Sequence, residues 1–285
     1  LGSVTVICSD KTGTLTQNQM TVQTVYAAGA HYEVTGAGYA PEGQLLGANG
    51  SAAAANAALV DCLRAGLLCN DSTVAQENGT WKVHGDPTEA ALIVAAGKAG
   101  LQRTGEESTR RRLDAIPFES QHQYMATLHD GGEGREAIVY WKGSLEALLG
   151  RCQGMLNAEG TVAPLGAAAV RHEAEALAAR GLRVLALARK SRPAGTVALT
   201  HEDVGDGLVF LGLQGMLDPP RPEAGQAVRT CQQAGIRVKM ITGDHAKTAA
   251  AIAQQLGFAD VTGPDGRENV MTGQQLASLS DGELI

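Results

Sequence analysis

The chain has 285 residues, enough for a sizeable core and, on length alone, about two domains. Its formal charge of −7 is thinly spread, and its 23 Lys and Arg residues form no block of the kind that tracks nucleic acid, so no nucleic-acid partner is expected. Cys8, Cys62, Cys69, Cys152 and Cys231 form no C-x-x-C pair, which argues for a reducing compartment and against a disulfide framework or a zinc site.

In chain order, the first element is the apolar, β-branched run Val4 to Ser9. It reads as a buried parallel strand that ends in Asp10 and runs into Lys11-Thr12-Gly13-Thr14-Leu15-Thr16. Asp10 then stands at the carboxyl end of a strand, where open α/β sheets put their chemistry. A carboxylate so placed can attack a phosphoryl group and carry it as an aspartyl-phosphate. The hydroxyls of Thr12 and Thr14, with the N–H groups around Gly13, can hold the phosphate oxygens. The plainer alternative is a strand-to-turn transition with a surface Asp.

Residues 21–39 alternate apolar and polar types among glycines and predict short antiparallel strands, residues 41–50 a loop, and residues 52–68 a helix. That helix is the most apolar stretch, yet Asn56, Asp61 and Arg64 break it well short of the ~20 apolar residues of a membrane span. Gly85 to Leu92 reads as a helix start with Asp86 at the N-cap, Pro87 at the first position and Glu89 at the third, close to a capping box. Strands follow at 136–141, 183–189 and 208–216, with a helix at 167–180. This mixture is that of an α+β module.

From Asp218 the style reverts. Residues 221–234 predict a helix opened by Pro219, Pro220 and Pro222 and closed by Gly235. A strand at 236–241 and helices at 246–256 and 273–279 complete a strand–helix alternation, the pattern of a parallel sheet. Thr242-Gly243-Asp244 follows that last strand; it is either an anion-binding turn at a helix N-terminus or a simple cap. The architecture expected is a parallel-sheet α/β domain of residues 1–19 and 218–285, interrupted by an inserted α+β domain of residues 20–217 with an antiparallel sheet.

The seven residues Asp10-Lys11-Thr12-Gly13-Thr14-Leu15-Thr16 resemble the phosphorylation signature of the P-type ion-pumping ATPases at every position. Met240-Ile241-Thr242-Gly243-Asp244-His245 resembles a second segment of that family, in which the Thr hydroxyl grips the phosphoryl group. The resemblance implies a haloacid-dehalogenase-like domain, here incomplete, with Asp10, Lys11, Thr12, Thr242, Gly243 and Asp244 as its catalytic set. Asp10 and Thr12 would also hold Mg²⁺. Many phosphatases of that class carry a second Asp, a general acid/base, two residues beyond the nucleophile; this chain has Thr12. Loss of the base lets an aspartyl-phosphate persist, which suits a pump.

Asp218-Pro219-Pro220-Arg221 is similar to the interdomain hinge of the type II members, where Asp218 and Arg221 would lie near the nucleotide phosphates. In the insert, the resemblance carries Glu89 and Phe118 to an adenine pocket, Phe118 stacking on the base. Lys142 and Gly143 of Lys142-Gly143-Ser144 would lie beside the base, and Arg183 would reach the phosphates. Each has a plainer reading: a helix start, a core Phe, a solvated Lys. One departure is Gln123, which stands where calcium pumps carry a Lys, so that His122 is the alternative contact.

A second departure is that the family's Thr-Gly-Asp-Gly-x-Asn-Asp segment, its actuator domain and its ion-binding transmembrane helices are not in this sequence. The chain therefore reads as a soluble, monomeric piece from the cytoplasmic face of a membrane protein. It is expected to bind ATP or ADP modestly and to phosphorylate itself poorly or not at all. The implied function is the ATP-binding and phosphorylated portion of an ATP-driven cation pump, with Ca²⁺ the leading cation. The alternatives are a soluble haloacid-dehalogenase-class phosphatase with a large cap, and a nucleotide-binding module without catalysis.

Overall fold

A computed structural model describes residues 4–53, 56–243, 246–258 and 269–280; Asp244 of the expected catalytic set lies outside them. In chain order the strands are β1 (Val6–Asp10), β2 (Thr21–Ala27), β3 (Ala30–Val34), β4 (Leu45–Leu46), β5 (Thr73–Glu77), β6 (Thr80–His84) and β7 (Arg112–Glu119). They continue with β8 (Tyr124–His129), β9 (Ala137–Gly143), β10 (Cys152–Leu156), β11 (Val162–Ala163), β12 (Arg183–Arg192), β13 (Leu208–Leu217) and β14 (Arg237–Ile241). The helices are α1 (Ala57–Leu68), α2 (Pro87–Lys98), α3 (Arg103–Thr109), α4 (Leu145–Leu149), α5 (Ala167–Ala179), α6 (Pro222–Gln233), α7 (Ala246–Gln255) and α8 (Gly273–Ala277).

The chain divides into two compact units. The first comprises Leu1–Asn18, Ala178–Leu182 and Asp218–Ile285, the second Gln19–Leu177 and Arg183–Leu217. In the first unit β1 and β14 pair in parallel, Val6 opposite Arg237 through Asp10 opposite Ile241. Among the described residues this pair is what stands of the expected parallel sheet. Pro222 opens α6, where its missing N–H costs nothing. Past the end of α6, Gly235 takes a positive φ of 72°, the conformation glycine adopts most readily.

The second unit is built on a ten-stranded sheet in the order β4-β3-β2-β13-β12-β9-β8-β7, with β10 and β11 joined beside β13. It is antiparallel apart from β10, which runs parallel to the start of β13. Helices α1 and α2 pack on each other and on β2 and β13. Their small residues, Ala58, Ala65, Ala91 and Ala95, let the helices sit close to the sheet, while Leu63, Leu67 and Leu92 fill the space between. Each such leucine contributes roughly 2 kcal/mol by leaving water.

Two expected elements differ. The helix predicted over 52–68 begins at Ala57, because Ala53 donates its N–H to the Leu45 carbonyl (2.7 Å) and Asn56 then caps the helix by accepting from the Leu59 N–H (2.9 Å). Antiparallel pairing with β3, Val34 opposite Leu45, puts β4 inside the predicted loop of 41–50. The hairpin β5–β6 and the pair β7–β8 were not predicted. The hairpin carried a readable signal in Asn78-Gly79, whose positive φ angles of 51° and 79° are those of a two-residue hairpin turn.

Candidate phosphoryl and nucleotide sites

In the first unit, β1 delivers Asp10 to its carboxyl end, exposed. Thr12 (φ −72°, ψ 122°) and Gly13 (φ 74°, ψ −9°) then form the two central positions of a type II turn. The second of these positions requires positive φ, which is why a glycine follows Thr12. The turn leaves Thr12, Gly13 and Thr14 exposed and buries the body of Lys11. Because Asp10 pairs with Ile241 in parallel register, Thr242 and Gly243 emerge from β14 at the same edge of the pair. A carboxylate, hydroxyls and turn amides are thus gathered at one strand end, a combination able to receive a phosphoryl group.

The hinge-like residues have visible partners. Thr16, fully buried, donates its hydroxyl to a carboxylate oxygen of Asp218 at 2.5 Å. Arg221 donates Nε to the Thr16 carbonyl (3.0 Å) and an η nitrogen to the Gly13 carbonyl (3.1 Å). Gln17 donates its N–H to the Pro219 carbonyl. Asp218 and Arg221 therefore fasten the end of the Asp10 turn.

In the second unit the first turn of α2 gathers the other candidates. Asp86 caps the helix by accepting from the Thr88 N–H (2.7 Å) and the Glu89 N–H (3.2 Å). The reciprocal half of the expected capping box is absent: the Asp86 N–H goes to the Ser72 hydroxyl at 2.8 Å. The Glu89 side chain turns inward instead. Its Oε1 meets Nζ of Lys142 on β9, and its Oε2 accepts from the Asp71 N–H (3.0 Å) and the Ser72 hydroxyl (2.9 Å). Lys142 is buried rather than solvated. Arg183, the first residue of β12, donates to the Thr88 hydroxyl at 3.2 Å.

Phe118 sits where β7 is irregular. Ile116 pairs with Ala126 and Glu119 with Tyr124, so Pro117 and Phe118 together oppose the single residue Met125. This is a β-bulge, and a proline without an N–H to donate is tolerated there. Phe118 is 57% exposed, an unusual state for a large apolar ring. Met125 in turn pairs with Lys142, so the bulge and the buried lysine share one level of the sheet. Gly143 has no space for a side chain: a Cβ there would stand 2.4 Å from the Gln123 carbonyl oxygen. Gln123 adopts a positive φ of 59° and is tied to Ser144 by backbone and side chain, while the ring of His122 lies 4.6 Å from that of His201. Reading the sequence overlooked Asn70, Asp71, Ser72 and Arg103, which support Glu89; isolated polar residues in a loop carry no periodic signal.

A sheet-and-helix unit whose capped helix start sets Glu89 on the buried Lys142, and a strand-end Asp in the sequence Asp10-Lys11-Thr12-Gly13-Thr14, together define the class. The family described as P-type ATPase, cytoplasmic domain N, matches residues 58–223, and the chain belongs to it. The chain is 50% identical over 290 residues to the cation-transporting ATPase pma1 of Synechocystis sp., which aligns with all of it. It is 46% identical over 283 residues, 98% of the chain, to the probable cation-transporting ATPase F of Mycobacterium tuberculosis. It is 38% identical over 292 residues, again all of the chain, to a calcium-transporting ATPase of Bacillus subtilis. The chain spans 31% of the length of each of the first two relatives and 32% of the third. Among the described residues no helix is long and apolar enough to cross a membrane.

Proposed function

We propose that this chain is the ATP-binding and phosphoryl-accepting part of an ATP-driven cation pump. The observation that carries the reading is the first turn of α2, where Glu89 meets Lys142 and Thr88 meets Arg183, with Lys142 at the level of the sheet that carries the exposed Phe118. A flat apolar ring offers a stacking surface to a purine. The Glu89 carboxylate complements an exocyclic amine, a donor. Arg183, exposed at the start of β12, offers positive charge to the phosphates, while Lys142 stands beside the base and holds Glu89. Gly143 serves this pocket by letting β8 and β9 close up around Lys142.

In the reaction proposed, a carboxylate oxygen of Asp10 bonds to the γ-phosphorus as the bond to the bridging oxygen breaks, and ADP leaves with that electron pair. Lys11, Thr12, Thr242, Gly243 and Asp244 hold the transferred group, and Asp218 and Arg221 keep the turn in shape. Mg²⁺ suits this donor set. The Asp10 carboxylate is exposed, and among the described residues no three His, Cys, Asp or Glu cluster to hold a metal by themselves. Asp10 and Thr12 would hold the ion together with phosphate oxygens and water, and it would neutralise charge on the transferred group. In the intact protein the partners are an actuator domain and transmembrane ion-binding helices, with this part on the cytoplasmic face. Ca²⁺ is the proposed cargo, supported by the name of the Bacillus relative.

The test is phosphorylation of a full-length protein carrying this segment. With γ-labelled ATP and Mg²⁺ it should acquire an acid-stable, hydroxylamine-sensitive label that Asp10→Asn abolishes. A label that survives Asp10→Asn contradicts the assignment.

A further inference from the structure

We propose that Ser72, held by Asn70 and Arg103, is a positioning residue that sets the Glu89 carboxylate for recognition of a 6-amino purine. The proposal rests on the nucleotide-site reading above. Ser72 has no exposed surface and lies outside every element, in the turn between α1 and β5. Its hydroxyl accepts from the Asp86 N–H (2.8 Å) and has one proton to give, which the 2.9 Å approach directs to Glu89 Oε2. The carboxylate is thereby pinned on one oxygen by Ser72 and the Asp71 N–H, and on the other by Lys142. Without that grip Glu89 would be free to reach back to the Asp86 N–H and close a capping box, its ordinary position in such a helix start.

The turn is itself clamped. The Asn70 side chain, 2% exposed, donates to the carbonyls of Gly66 (3.0 Å) and Glu89 (2.9 Å) and accepts from the Ser72 N–H (2.9 Å). Arg103 donates to the carbonyls of Leu67, Asn70 and Ser72 at 2.8–3.1 Å, tying the end of α1 to the turn. Gly85 leaves no tolerance on the opposite side: its φ is 120°, and a Cβ there would stand 2.3 Å from the Ser72 oxygen. A buried hydrogen-bond network of this kind holds a ligand group within the tolerance recognition demands. A carboxylate oxygen has room for a second donor, and an exocyclic amine of a bound purine is one.

The experiment compares ATP with inosine triphosphate, whose 6-oxo group cannot donate, on the 285-residue chain and its Ser72→Ala variant by calorimetry. Wild type should prefer ATP. Ser72→Ala should weaken ATP about ten-fold, the worth of a hydrogen bond to a charged group, and inosine triphosphate less than two-fold. A general loss of fold would weaken both alike, so the ratio separates positioning from stability. Arg103→Met, which loosens the turn and leaves the hydroxyl in place, should shift the ratio in the same direction and serves if Ser72→Ala does not fold. An unchanged preference in both variants overturns the positioning role and leaves the nucleotide site standing. A wild-type chain that binds neither nucleotide, or binds both regardless of Phe118, overturns the site and this inference with it.

Discussion

At the scale of single residues, burial decides how the charged candidates behave. The Lys142 side chain is 7% exposed and that of Glu89 16%, so their ion pair lies mostly out of water. Removing one partner of such a pair strands the other, at a cost of roughly 3–5 kcal/mol. Lys142→Ala should therefore lower unfolding stability by about 3 kcal/mol, the low end because Asp71 and Ser72 still support Glu89. The double change Lys142→Met with Glu89→Leu should recover most of what Lys142→Met alone loses, read by urea unfolding of both single variants and the double as a double-mutant cycle. Additive effects would mean that the pair is not coupled. The sequence made Lys142 and Glu89 visible as candidates but not as each other's partner, since they stand 53 positions apart and nothing local links them. Asp10, by contrast, was legible with its surroundings, because strand, turn glycine and hydroxyls are contiguous.

At the scale of elements, strand pairing places a titratable group in the core. His129 ends β8, 1% exposed, with Nδ1 3.0 Å from the Arg110 carbonyl and Nε2 2.9 Å from the Thr127 hydroxyl. Nδ1–H donates to the carbonyl and Nε2 accepts from the hydroxyl, a tautomer assigned from these partners. Burial disfavours the imidazolium and pushes its pKa down from 6.5 to about 4. The unfolded chain thus takes up a proton near pH 6.5 that the folded chain refuses until about pH 4. This contribution to stability is whole above pH 6.5 and declines as pH falls through that window, by about 3 kcal/mol in all. Urea midpoints for wild type and His129→Gln should diverge in slope between pH 6.5 and 4, the variant falling less steeply. Parallel slopes would remove His129 from the account. Elements with strong local signals were legible here: the Asp86-Pro87 helix start, and β14 between Gly235 and Gly243. Strand β7 was hidden because Pro117 and the bulge break the period-two pattern on which a strand is recognised, and β8 because it is buried on both faces and does not alternate.

At the scale of the whole molecule, two units divide the chemistry: a strand-end Asp with its turn in one, and the Phe118, Glu89 and Lys142 group in the other. The change in style put the expected boundaries at residues 20 and 218, whereas the compact units also give Ala178–Leu182 to the first, a short segment that no change in pattern marks. The expectation of Ca²⁺ rested on resemblance and had no residue of its own behind it. Both tryptophans, Trp81 and Trp141, belong to the second unit, so their fluorescence follows that unit alone. The account's central claim is that this unit holds ATP against Phe118. Calorimetric titration of ATP with Mg²⁺ into the wild-type chain and into Phe118→Ala tests it most directly. The account predicts a Kd between about 1 μM and 1 mM for the wild type, weakened at least ten-fold in the variant. Absence of binding, or binding indifferent to Phe118, would contradict it.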